Sequence, residues 1–271
     1  MGARYQGGGD LLQEKSFAVI GEDGRQRAAA DYLRQLGYRV VGAEKISAAD
    51  IILLPMPLSA ERAQLAALLR AAKPGAVAYA GKVSDEAAAV AKAAGVELDD
   101  YLQREELAVM NAIPTCEGAV EILLRERQAA LWNSRVLITG FGRIAKLLCQ
   151  RLTGFGALVT VAARRPRDRA LASALGCRTQ TIDALRETVR GFDVIVNTVP
   201  APLIDREMIG TMGRDTFLLD LASAPGGIDL AAAGTAGIKA VWALSLPAKC
   251  APVTAGRFVA DTVLQMMEER D

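Results

Sequence analysis

The sequence predicts an α/β fold built from two Rossmann-like parallel-sheet domains joined by a linking helix. Short apolar runs rich in Val, Ile and Leu alternate with Ala-rich stretches of helical period, the signature of a parallel sheet covered by helices. A length of 271 residues suits two domains. A glycine turn, Gly140-Phe141-Gly142, stands between one apolar run and the helical stretch that follows it.

In the first domain, strands are expected at residues 17–20, 38–41, 51–54 and 77–80, with a fifth at 96–98. Helices are expected at 25–36, 60–72 and 85–94, with Gly37 and Gly95 as stops. Residues 115–130 read as one long linking helix with Thr115 as its N-cap. The second domain opens with a strand at 136–138, the turn at Gly140 and a helix at 143–152. Strands at 158–162, 177–181, 194–197, 217–221 and 238–242 complete six, the number in a full dinucleotide fold. A helix over about 253–269 closes the chain. The domains expected are therefore 1–114, a flavodoxin- or Rossmann-like substrate domain; 115–134, the linking helix; 135–250, the nucleotide domain; and 251–271, the closing helix. Two such sheets facing each other would leave a cleft at their strand ends.

Composition narrows the chemistry. Apolar residues make up 51% and charged residues 23%, ordinary globular usage. Thirty-two basic against thirty-one acidic residues leave +1, so no global field would hold nucleic acid or an anionic membrane. Apolar runs such as 51–58, broken by Pro55 and Pro57, fall short of the ~20 residues of a membrane helix. The first ten residues hold no apolar signal core, and the four cysteines are scattered, which leads us to expect a cytoplasmic protein with reduced thiols. The chain has no histidine, which excludes Ser/His/Asp triads and His-containing zinc sites. No metal is expected. Chemistry must use carboxylates, Lys, Tyr, Cys or a bound cofactor.

Gly140-Phe141-Gly142-Arg143-Ile144-Ala145 matches the GxGxxA dinucleotide pattern. The first glycine permits the tight turn, the second lets backbone amides approach a pyrophosphate, and Ala145 lets helix and strand pack closely. An NAD site would place a carboxylate at the end of the next strand. This strand runs instead into Arg164-Arg165-Pro166-Arg167, so Arg164 and Arg165 point to the 2′-phosphate of NADP; the alternative is a solvated basic turn. Asn197-Thr198-Val199-Pro200 would meet the nicotinamide ribose, or simply end a strand. Asp220 would orient substrate or water, or cap a helix. In the first domain, Glu22 and Asp23 in the loop Gly21–Gly24 would repel a pyrophosphate, so that loop is expected to help hold substrate, with Arg25, Lys82 and Arg104 as nearby cations. Cys116, at an expected helix start, is either a favoured thiolate or a buried inert thiol.

These residues resemble the A subunits of bacterial dipicolinate synthases over nearly the whole chain. The resemblance rests on Gly21-Glu22-Asp23-Gly24-Arg25-Gln26, on 111–118, on Gly140 to Arg143, and on Asn197 to Pro200. It rests also on Leu219 to Ser223 with Pro225-Gly226-Gly227, and on Leu246-Pro247 with Ala251 to Gly256. It implies a two-domain fold related to the D-2-hydroxyacid dehydrogenase architecture and an NADP-dependent subunit. That subunit would work with a flavoprotein-like B subunit on dihydro- or hydroxytetrahydrodipicolinate, in the mother cell of a sporulating bacterium. Hydride would pass to NADP during aromatisation and a proton to water or a modest base. Substrate carboxylates would face Thr115 and a first-domain Arg or Lys, with Asp220 or Glu117 relaying the proton. Ala248 and Lys249 depart from an expected Gly and apolar residue, and Glu22 and Gly24 from an expected Gly-Asp-Ala loop. Rival readings are an NADP-dependent dehydrogenase of another small acid and a non-catalytic NADP-binding subunit. Dimerisation through the nucleotide domain is also consistent with the fold.

Overall fold

The computed structural model describes residues 15–58 and 61–270, and each expected strand is a strand in it. The chain divides into two compact units. One holds Met1–Asn111 with Ala251–Asp271, and the other holds Ala112–Cys250.

The first unit carries β1 (Ser16–Val19), β2 (Arg39–Val41), β3 (Ile51–Leu53), β4 (Val77–Ala80) and β5 (Glu97–Asp100). They pair in the order β2-β1-β3-β4-β5, every pair parallel. Alternation along the strands sends Phe17, Ile51, Leu53 and Tyr79 to one face and Ala18, Ile52, Ala78 and Ala80 to the other. The second face is covered by the helices Arg62–Arg70 and Asp85–Ala93, through Leu65, Leu69, Val90 and Ala91. The expected start of the first of these helices, at Ala60, lies outside the described residues.

The first face is covered by the helix Gly24–Gln35, through Ala29 and Leu33, and by the closing helix Pro252–Glu268, through Val259, Val263, Met266 and Met267. Both helices run over the same sheet face, and Gly256 lets them touch backbone to backbone. A Cβ there would overlap the carbonyl oxygen of Arg25 and sit 2.9 Å from the amide nitrogen of Ala29.

The second unit carries β6 (Arg135–Thr139), β7 (Leu158–Ala162), β8 (Arg178–Gln180), β9 (Val194–Asn197), β10 (Phe217–Asp220) and β11 (Lys239–Trp242). The order is β11-β10-β9-β6-β7-β8, all parallel, which is the full dinucleotide-fold order. The strand order reverses between β6 and β9, so a crevice opens outside their carboxyl ends. Buried side chains fill both faces: Leu137, Ile195 and Leu218 on one, Val136, Ile138, Val196 and Leu219 on the other.

The linking helix differs from expectation. It spans Glu105–Arg127, so Thr115 is an interior residue and not an N-cap. Pro114 lies inside the helix, where its missing amide hydrogen removes one bond of the ladder. Burial of Leu107, Ala112, Pro114 and Cys116 carries the helix through it. Among the described residues this helix is also the one long and apolar enough by length and composition to cross a membrane. Half of its most apolar window is buried inside the protein.

The close approach at Gly256 gives a test. Gly256→Ala forces the two helices of the first unit apart, and thermal melting should show a loss of about 1–3 kcal/mol, the usual range for overpacking. An unchanged melting temperature would contradict the close approach.

Candidate functional site

The site grows from the point where β6 ends. Thr139 is followed by Gly140 at φ +86°, a conformation that favours glycine. A Cβ at Gly140 would lie 2.7 Å from Thr198 Oγ1 and 2.9 Å from Val199 Cγ2, so the loop after β9 can approach only because this residue has no side chain. Gly142 is the N-cap of the helix Arg143–Gly154, with no side-chain hydrogen bond closing the helix end. A Cβ at Gly142 would meet nothing within 4 Å, so the first-turn amides border open space, as an anion site requires. Ala145 is fully buried beneath them.

A cavity of about 560 Å³ opens over this turn. Its floor is Gly140, Phe141 and Gly142, and its apolar walls are Ala163, Ile182, Val199 and Leu203. Its charged lining is Lys146, Arg164, Arg165, Arg167 and Asp168. Asp168, the one carboxylate among them, stands 3.8 Å from Arg167. Ala163 and Arg164 directly follow the end of β7, where a ribose-binding carboxylate would stand in an NAD site. Arg164 and Arg165 are both exposed at the cavity edge. Sequence reasoning missed Lys146. Its signal is its spacing, one helical turn on from Gly142, which brings Nζ to 6.0 Å from the Phe141 ring centroid on the cavity side.

The rim beside the cavity is a buried polar network. Register pairs Thr139 with Asn197, and Asn197 with Asp220. Thr139 Oγ1 donates to Asn197 Oδ1 at 2.6 Å, while Thr139 O accepts from Thr198 N at 3.1 Å and Thr198 Oγ1 at 2.7 Å. Asn197 Nδ2 donates to Val199 O at 2.9 Å and to Asp220 Oδ1 at 2.8 Å. Asp220 also accepts from the amides of Ala222 (3.0 Å), Gly227 (2.7 Å) and Ile228 (3.1 Å). Asp220 is 1% exposed and each of its oxygens accepts two hydrogen bonds. The carboxylate, expected to orient substrate or relay a proton, holds the 220–228 loop to the end of β9.

The other expected residues separate. Phe141 is buried, Arg143 exposed and Ile144 partly buried, and Pro200 is exposed just past the network. The Ile144 carbonyl accepts from Cys116 Sγ at 3.3 Å, so this turn of the linking helix lies beside the first turn of the nucleotide helix. Cys116 is fully buried, and desolvation pushes its thiol up to about 12, which settles it as an inert core thiol. Glu117 is exposed and pairs with Arg151 at 3.8 Å.

In the first unit, Asp23 caps its helix, its Oδ1 accepting from the amides of Arg25 and Gln26 at 2.8 and 3.2 Å. That helix end is already occupied by the chain's own carboxylate. Arg25 donates from Nη2 to the Met56 carbonyl and faces Asp23 at 3.5 Å. Lys82 is exposed. Arg104 forks onto Glu269 at 2.5 and 2.7 Å and pairs with Glu106, so it is committed inside its own unit and does not fit the role of substrate cation. Among the described residues no group of three or more metal-ligating side chains is placed to hold an ion.

Residues 119–226 match the model of the D-isomer specific 2-hydroxyacid dehydrogenase, NAD binding domain. The second unit is therefore a dehydrogenase-type domain for a nicotinamide dinucleotide. The A subunit of dipicolinate synthase from Bacillus subtilis (strain 168) is 32% identical over 180 residues, 66% of this chain. The match spans 61% of the length of that relative. The crystal structure of the A subunit of dipicolinate synthase from Bacillus halodurans superposes with a TM-score of 0.85 at 26% identity, covering 95% of this chain and 99% of that one. This chain is similar to the A subunits of dipicolinate synthases over almost its whole length. The A chain of dipicolinate synthase from Bacillus subtilis superposes with a TM-score of 0.80 at 26% identity, over 94% of this chain and 96% of its own.

The buried network yields a stability test. Asp220→Asn turns two accepted hydrogen bonds into opposed donors, and unfolding in denaturant should show a loss of at least about 1–3 kcal/mol. Wild-type stability in the variant would contradict the structural role of Asp220.

Proposed function

We propose that the chain is an NADP-linked oxidoreductase of the dipicolinate synthase type. It would oxidise dihydro- or hydroxytetrahydrodipicolinate to dipicolinate in the cytoplasm of a sporulating cell, together with a flavoprotein-like second subunit. The observation that carries the reading is the cation-lined cavity over Gly140–Gly142, with arginines where a ribose-binding carboxylate would stand. Similarity to the A subunits of dipicolinate synthases supports the substrate class and the partner.

The residues fit the cofactor. The uncapped amides after Gly142 would hold the pyrophosphate, and Arg164 and Arg165 would fork onto a 2′-phosphate with Lys146 adding charge from the helix. Ile182 and Leu203 offer apolar walls for a flat base. Thr198, held by Thr139, and Val199, held by Asn197, would form with Pro200 the lip for the nicotinamide ribose. When bound, a nicotinamide dinucleotide supplies the hydride acceptor for turning a dihydropyridine dicarboxylate into its aromatic form. Asp220 is saturated with hydrogen bonds and Glu117 is paired with Arg151, so we assign the proton to water. Arg104 is committed to Glu269 and Arg25 to the Met56 carbonyl, and Thr115 remains a candidate polar contact for a substrate carboxylate.

Arg164→Glu should weaken NADPH binding at least about tenfold more than NADH binding in fluorescence titrations, since it replaces a charge-assisted pair with repulsion. Equal losses for the two cofactors would contradict the 2′-phosphate assignment.

The activity is tested by generating hydroxytetrahydrodipicolinate in place from pyruvate and aspartate semialdehyde, with and without the second subunit. NADPH is followed by absorbance and dipicolinate by lanthanide luminescence. Both signals should rise together. Dipicolinate without NADPH would assign the nucleotide a non-catalytic role, and absence of both signals would overturn the substrate.

A further inference from the structure

Arg164 and Arg165 are long, exposed side chains, and ordering them on a ligand costs rotamer entropy unless the backbone beneath them is fixed. The backbone around them is fixed from three sides. Ala162 O accepts from Gly140 N at 2.9 Å, which ties the end of β7 to the glycine turn. Ala163 N donates to Gln180 O at 3.1 Å, the last rung toward β8. The next two carbonyls, of Ala163 and Arg164, lie past the sheet ladder, and both accept from a single nitrogen. That nitrogen is Nη1 of Arg169, at 2.9 and 2.8 Å.

Arg169 stands in the first turn of the helix Pro166–Ala174, where a cation opposes the helix dipole and would not be favoured on helix grounds. Its side chain turns back on the chain that precedes it. The amides of Asp168 and Arg169 donate to Arg165 O at 3.1 and 3.3 Å, so the turn is closed on both sides of the arginine pair. Arg169 is partly buried and is not among the residues that line the cavity, so it acts through the backbone and not by contact. Its charge, together with those of Arg164, Arg165 and Arg167, favours a dianion at the cavity edge.

We infer that Arg169 is a positioning residue for cofactor selectivity: it clips the turn after β7 so that Arg164 and Arg165 are presented to the 2′-phosphate of NADP. The inference rests on the NADP reading of the cavity. It concerns the geometry of the turn, which a change in the contacting arginines leaves untouched.

The test is titration of NADPH and of NADH into the full chain, as wild type, Arg169→Gln and Arg169→Lys, with the melting temperature of each. Arg169→Gln should lose about tenfold in NADPH affinity, the scale of a lost charged hydrogen bond, with NADH changed less than about twofold. Arg169→Lys keeps the charge and a donor to the carbonyls and should recover part of that loss. A merely structural role would lower the melting temperature and weaken both cofactors together, leaving their ratio unchanged, and that result would overturn the inference. Should Arg169→Gln fail to fold, the same ratio read in Arg169→Lys decides. A wild type that binds NADPH and NADH equally would overturn the cofactor reading and this inference with it. A wild-type preference that survives in both variants would overturn only the role of Arg169.

Discussion

The approach of the loop after β9 to Gly140 is the contact on which the nucleotide unit depends. Thr198 and Val199 sit where any side chain at residue 140 would have to go. The carbonyl of Thr139 holds the amide and hydroxyl of Thr198, and the hydroxyl of Thr139 holds Asn197. Asn197 in turn engages Asp220, whose other bonds fix the amides of Gly227 and Ile228. The ends of three neighbouring strands are thereby one hydrogen-bonded rim, and the cavity opens beside it. Gly226 and Gly227 answer the same demand from the other side, since a Cβ on Gly227 would stand 2.5 Å from Asn197 Nδ2. Buried polar groups so fully satisfied specify one arrangement of loops, and a partly satisfied set would not.

The two units use one architecture with opposite electrostatics at the corresponding helix. In the first unit Asp23 fills the helix N-terminus with a carboxylate, and in the second the helix after Gly142 has no side-chain cap. Of these two helix ends, the second is the one whose cap position brings no carboxylate against an anion. The residue at the helix N-cap thus sets the charge that each of these two helix ends presents. Fold alone does not set it, as both sheets are parallel and doubly wound.

Both sheets, the glycine turn and the arginine pair were legible in the sequence because each is a local pattern: a strand run, a turn, a helix start. Features set by distant contacts were not. The closing helix joins the first unit through Gly256 against Arg25 and Ala29, a pairing no local pattern announces. Arg104 is held by Glu269 across 165 residues of chain. Asp220 reads as an available carboxylate until the amides of Gly227 and Ile228 fold back onto it. Thr115 reads as a helix N-cap, and only burial on either side of Pro114 shows the helix passing through. Lys146 was readable in principle, since helical spacing alone carries it over the glycine turn, but that takes the helix phase as well as the motif.

The central claim is that the cavity over Gly140–Gly142 is built for a dinucleotide bearing a 2′-phosphate. Calorimetric titration of the full chain with adenosine 2′,5′-bisphosphate and with 5′-AMP tests it directly, because the two ligands differ only in that phosphate. The account predicts that the bisphosphate binds at least about tenfold tighter and that its advantage shrinks as salt is raised. Equal affinities at low salt would contradict it.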